Sequence, residues 1–119
     1  MMPKNTIFAF LSDIENLSKW STKFVQKIIS KEGKHKAITP IGEMFIRLDT
    51  NEKAGTIDIY AGPTEDNMTP AYLRTISLPD NSTIVMFTFF QYSSTSDNVW
   101  KIFCEWIKVE VENIRKHFS

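Results

Sequence analysis

The sequence predicts an α+β domain in which a curved antiparallel sheet packs on a long C-terminal helix. Three observations carry this. Apolar residues recur three or four apart near both ends, at Ile7, Phe10, Leu11, Ile14 and Leu17 and again at Val99, Phe103, Ile107, Val111, Ile114 and Phe118, as on the buried stripe of a helix. Between these segments lie short apolar or alternating stretches separated by turn residues, which read as strands. The separators are short, so successive strands pair antiparallel, and a helix with a broad stripe has to cover one face of the sheet. At 119 residues the chain supports one core, and 42% hydrophobic with 24% charged residues excludes a disordered tail or a coiled coil.

The first helix is expected to start near Asn5 or Thr6, either of which supplies an N-cap oxygen. Asn16-Leu17-Ser18 breaks it, and Ser21-Thr22 after Trp20 opens a short second turn. A strand follows over 24–30. Lys31-Glu32-Gly33-Lys34 is a turn, and 34–39 pairs back as a hairpin. Pro40-Ile41-Gly42 bends the chain at an edge. Over 43–49 the alternation is regular, with Met44, Ile46 and Leu48 on one face and Phe45, Arg47 and Asp49 on the other. After a turn over 50–53, strands are expected over 55–61 and 72–78, with a loop over 62–67. Pro79-Asp80-Asn81 is a tight turn. The strongest strand signal covers 83–92. Ser96 or Asp97 caps the last helix, which runs to about residue 117, with Trp100 and Trp106 flanking its stripe and Lys116 and His117 at the negative end of its dipole. The first helix closes one end of the sheet.

The stretch over 83–92 is apolar on both alternations: Val85, Phe87 and Phe89 on one, Ile84, Met86 and Phe90 on the other. A two-layer sheet needs one apolar face only. If the first set faces the helix, the second forms an outer patch suited to a homodimer.

Charge and composition exclude several function classes. Fourteen basic residues balance fourteen acidic ones, which gives no global attraction to nucleic acid or anionic membrane. Lys31, Lys34 and Lys36 cluster around Gly33, but Glu32 lies among them and a solvated hairpin accounts for the cluster. The single cysteine, Cys104, permits no internal disulfide and fits a reducing, cytoplasmic location. The apolar run at 7–11 is short for a signal-peptide core, and no stretch approaches the length of a membrane span. The three Asn-x-Ser/Thr triplets at Asn16, Asn67 and Asn81 are read as chance matches. His35 and His117 are the only histidines, and no metal-binding, phosphate-loop or hydrolase motif is present, so no metal and no cofactor is expected. Cys104 has no basic neighbour in sequence and reads as structural.

The order of elements, together with Phe8-Ala9-Phe10-Leu11-Ser12-Asp13 leading to Trp20-Ser21-Thr22-Lys23-Phe24, Thr39-Pro40-Ile41-Gly42-Glu43, Gly55-Thr56-Ile57-Asp58 and Phe87-Thr88-Phe89-Phe90, resembles the START-related helix-grip superfamily, nearest its polyketide cyclase/dehydrase-like and lipid-transfer branches. The matches spread over almost the whole chain, each of them short. The resemblance implies a curved sheet gripping the C-terminal helix around a cavity for hydrophobic molecules, with catalysis in some members. One departure stands out: the strand that usually precedes the first helix is missing or vestigial, which leaves a sheet edge open.

The candidate ligand-binding residues follow from this reading. Trp20, Phe24, Phe87, Phe89, Phe103 and Ile107 are core or cavity wall. Asp58 and Arg74 alternate with apolar residues in neighbouring strands, as a surface ion pair or as polar anchors in the cavity. Glu43 and Arg47 read as a surface charge row, and His35 as a solvated turn residue. No catalytic residue is assigned; for a cyclase- or dehydratase-like enzyme, Asp58 with His35 or Arg74 is the candidate acid/base set. The expected partner is a small hydrophobic molecule. The rival to binding or catalysis is an interaction module whose core is filled with its own rings.

Overall fold

A computed structural model describes residues 3–118. Helix α1 (Lys4–Leu11) leads through a 3₁₀ turn (Ile14–Asn16) into α2 (Leu17–Trp20). Strands β1 (Lys27–Lys31), β2 (Lys34–Thr39), β3 (Gly42–Asn51), β4 (Thr56–Thr64), β5 (Asn67–Ser77) and β6 (Thr83–Thr88) follow, and α3 (Asp97–His117) ends the chain. The strands form one curved sheet in sequence order, every neighbour antiparallel. The expected α+β class, a curved antiparallel sheet beneath a long C-terminal helix, is the observed architecture. Among the described residues no strand precedes α1.

Local chemistry sets the boundaries. The β1–β2 turn takes positive φ at both Glu32 and Gly33, the hairpin conformation that matches strand twist. Helix α1 starts one residue before the expected cap, with Pro3 in extended conformation ahead of it and no side-chain cap. It also stops early, at Leu11. Asp13 accepts a hydrogen bond from Glu15 N and opens the 3₁₀ turn instead, so the apolar periodicity at Ile14 and Leu17 belongs to two further short elements. At the other end Ser96 is the cap of α3, accepting from Val99 N at 3.2 Å.

Strand β1 starts at Lys27, three residues later than expected, and β5 and β6 also depart from expectation. Strand β5 begins at Asn67 and runs through Pro70. Its partnership with β6 reaches only to Tyr72, so Pro70 sits where one side of β5 carries no ladder and a missing N–H costs little. Strand β6 stops at Thr88, and residues 89–96 leave the sheet to reach α3.

The register puts Ala37, Ile46, Ile57, Ile59, Leu73 and Phe87 on one face. That concave face meets Ile7, Phe8 and Leu11 of α1, Leu17 and Trp20 of α2, and Ile114 near the end of α3. Gly55 ties the β3–β4 turn to this core. It has φ +70°, its carbonyl accepts both the backbone N–H and the hydroxyl of Thr75, and a β-carbon there would strike the Thr75 carbonyl oxygen.

Helix α3 plays two roles along its length. Its C-terminal end enters the core through Ile114 and stacks His117 on Phe10 at 3.9 Å between ring centroids. Its backbone approaches α2 more closely than it approaches the sheet. The preceding turns of α3 therefore stand off the concave face and leave a space beneath them.

Candidate functional site

A cavity of about 520 Å³ lies between the concave face and α3. Its floor comes from β3–β6, through Ile46, Ile59, Ala71 and Phe87 among others. Its roof is the inward stripe of α3: Val99, Phe103, Trp106, Ile107 and Glu110. One end is closed by the segment after α2, with Ser21, Phe24 and Val25. Ile41, in the turn between β2 and β3, lines the space and is still 62% exposed, so it stands at the mouth.

Rings dominate the wall. Phe24 meets Phe103 edge to face at 6.2 Å, and Phe103 meets Trp106 at 5.5 Å. On the sheet side Phe87 meets Phe89 edge to face at 6.3 Å, and Phe89 lies 4.7 Å from Trp100. The rings thus form two groups, one joining Phe24 to Phe103 and Trp106 of α3 and one running from Phe87 of β6 through Phe89 to Trp100 of α3, and among the described residues no ring contact joins Phe87 or Phe89 to Phe103.

The expected ligand residues divide by position. Phe24, Phe87, Phe89, Phe103 and Ile107 line the cavity. Trp20 does not; it is 1% exposed in the core, with its ring 5.8 Å from Phe87, where it backs the wall. Asp58 and Arg74 must be corrected. Their neighbours Ile57, Ile59 and Leu73 take the concave face, and strand alternation therefore turns Asp58 and Arg74 to the convex one. Asp58 lies opposite Tyr72 and Arg74 opposite Thr56, and no ion pair joins the two among the described residues. His35 is also outside the cavity. Its Nδ1 is 2.8 Å from Ser30 Oγ, which in turn donates to Glu15 Oε1 at 3.2 Å. That serine sits between two partners in an exposed chain, not at the end of a relay facing a pocket. Arg47 covers the Tyr60 ring on the convex face, 4.3 Å from its centroid.

The polar centre of the site is Glu110, which the apolar pattern alone passes over. It is 2% exposed and the one charged side chain in the cavity lining. Its Oε2 accepts from the backbone N–H of Lys23 at 3.2 Å and of Phe24 at 3.0 Å. One turn on, Asn113 Nδ2 donates to Trp20 O and Thr22 Oγ1, each at 3.0 Å. Together these bonds pin the segment over 20–24 to α3 and fix the closed end of the cavity. The signal was present in the sequence. Phe103, Ile107, Glu110 and Ile114 are spaced four, three and four apart, so Glu110 occupies a stripe position, whereas Val111, the expected one, is 39% exposed.

Burial pushes the Glu110 carboxyl above its ordinary range, against hydrogen bonds from Phe24, Ser21 and Lys23 that favour the charged form. The folded state therefore holds this proton more tightly than the unfolded chain does. Stability tied to Glu110 is largest at low pH and declines as pH rises from the ordinary carboxylate value of about 4.5 through the raised one. Asp80 and Glu112 act in the opposite sense: Ser82 and Arg115 respectively hold their pKa values down, so their contributions fade only in more acidic solution. Denaturant midpoints measured at about pH 5 and about pH 7.5 are expected to favour the lower pH, and Glu110→Gln is expected to flatten that slope. Glu110→Ala, which strands two backbone N–H groups, is expected to cost about 1–3 kcal/mol.

Among the described residues no three His, Cys, Asp or Glu side chains group as metal ligands. Cys104 is half-buried on α3. No described helix is long and apolar enough to cross a membrane. No protein-family model matches the chain, and no curated protein is significantly similar to it in sequence.

Proposed function

We propose that this chain is a helix-grip protein of the START-related kind that binds a small hydrophobic molecule between the sheet and α3. The observation that carries the reading is a cavity of about 520 Å³ walled by aromatic and aliphatic side chains and containing one buried carboxylate. Its volume falls in the range of ordinary small-molecule sites, about 300–1,000 Å³, and its make-up, an apolar wall with few polar groups, is what such sites share. Binding would draw on removal of apolar surface from water, at roughly 25 cal/mol per Å². A cyclase- or dehydratase-like reaction needs two converging acid/base groups. Glu110 is the one carboxyl group in the lining, and Tyr92, the other titratable side chain there, donates its hydroxyl to Pro70 O at 3.0 Å, so binding is favoured over catalysis. Native mass spectrometry of the purified protein tests this: a co-purified apolar molecule released on denaturation supports it. Protein that carries none and takes up no aromatic probe contradicts it.

A second reading, a homodimer, is favoured by the opposite face. Ile76, Ile84 and Met86 are each 41–48% exposed there, whereas Phe90, past the end of β6, lines the cavity. Strand β6 carries no charged residue or proline to block edge pairing, and its outer edge meets no strand among the described residues. A second copy would pack on this patch or pair along the β6 edge. A dimeric mass at tens of micromolar is expected, reverting to monomer with Met86→Lys; a monomeric mass for the unmodified chain refutes the pairing.

A further inference from the structure

The charge inventory of the cavity narrows what it can hold. On the reading that this cavity is a ligand site, we propose that its occupant is a ring-bearing apolar molecule that presents a hydrogen-bond donor, a hydroxyl or an amine, to Glu110, and that carboxylates are rejected. The lining contains no Lys, Arg or His, and its one carboxyl group is that of Glu110. A ligand carboxylate would place an anion in a space of low dielectric, beside another carboxyl group and without a cation to meet it.

The other place suited to an anion is the N-terminus of α3, where Ser94, Thr95 and Ser96 reach the lining. That end is already served. Ser96 caps Val99 N, and Asp97 in the first turn brings its own negative charge and accepts from Gln91 Nε2 at 2.8 Å.

The geometry at Glu110 suits a donor. Both backbone bonds end on Oε2 and hold the carboxylate in place. Oε1 therefore keeps acceptor capacity for a group in the cavity, beside the Ser21 hydroxyl. An apolar molecule without a donor leaves that capacity unused in a desolvated site, which is the condition under which one hydrogen bond discriminates strongly. The rings of Phe103 and Trp106 lie one to two helical turns before Glu110 on α3, and the Phe24 ring belongs to the residue whose N–H the carboxylate holds. A flat aromatic body lying against those rings thus carries its polar group to the carboxylate.

Calorimetric titration of the full chain at about pH 7.5 with naphthalene, 2-naphthol, 2-naphthylmethylamine and 2-naphthoate tests this, because the scaffold is constant and only the head group changes. The naphthol and the amine are expected to bind at least about tenfold more tightly than 2-naphthoate. Glu110→Gln retains an acceptor oxygen for Lys23 and Phe24 but removes the charge. In that variant the gap between naphthol and naphthoate is expected to shrink severalfold while naphthalene affinity is kept. If naphthoate binds as tightly as naphthol, or if the gap survives in Glu110→Gln, the donor assignment is overturned and the ligand site stands. If none of the compounds binds, naphthalene included, the site reading falls as well.

Discussion

Replacing Trp20 with alanine is expected to cost about 3–5 kcal/mol of folding stability, a large share of the total for a domain of this size. Trp20 is the largest fully buried side chain. It stands at the end of α2, where three parts of the structure converge. Its carbonyl accepts from Asn113 of α3, its ring abuts Phe87 of β6, and its neighbours in the core include Leu11 and Leu17. Truncation leaves a void that these elements cannot close independently, since each is tied to another. Among the described residues the buried indole Nε1 has no hydrogen-bond partner, so the loss belongs to packing. Trp20→Phe removes that unpaired donor and keeps a ring, and is expected to lose less. Urea unfolding of both variants checks the pair of expectations; a loss below about 1 kcal/mol for the alanine variant would show that the site can collapse, against this description of the core.

Filling the cavity is expected to abolish binding without harming the fold. Ala71 lies on β5 opposite Ile59, half-buried and in the floor. In Ala71→Phe a phenyl group projects into the space a ligand would occupy. Affinity for 2-naphthol is expected to fall at least about tenfold, or 1.4 kcal/mol. Folding stability is expected to stay level or rise, because the added ring meets existing walls instead of displacing packed atoms. Unchanged affinity in a folded Ala71→Phe protein would place the binding elsewhere.

Much of the architecture can be read from local chemistry. Gly33 and Asn81 mark turns because glycine and asparagine take positive φ more readily than most residues, and Ser96 marks the start of α3 because its hydroxyl caps a free N–H. The double apolar pattern of β6 foretold both a cavity-facing row and an exposed one, and Phe87 and Ile84 take those places. Other features depend on contacts remote in sequence. Phe24 and Val25 look like strand residues, but Glu110, more than eighty positions later, holds that segment as a loop. Strand periodicity shows which residues share a face, not which face meets the helix, so it leaves Asp58 and Arg74 open between a surface pair and cavity anchors. Glu110 is hidden for the converse reason. A charged residue within an apolar stripe is normally assigned to solvent, and its burial is explained by donors remote in sequence, the backbone N–H groups of Lys23 and Phe24 and the Ser21 hydroxyl.

The central claim is that ligands enter the space under α3. Backbone amide chemical shifts of isotopically labelled protein, followed while 2-naphthol is added, test it most directly. The largest changes are expected at Phe24, Ala71, Phe87, Phe103 and Glu110, which surround the cavity on every side. Changes confined to Ile76, Ile84 and Met86 on the convex face would contradict the account.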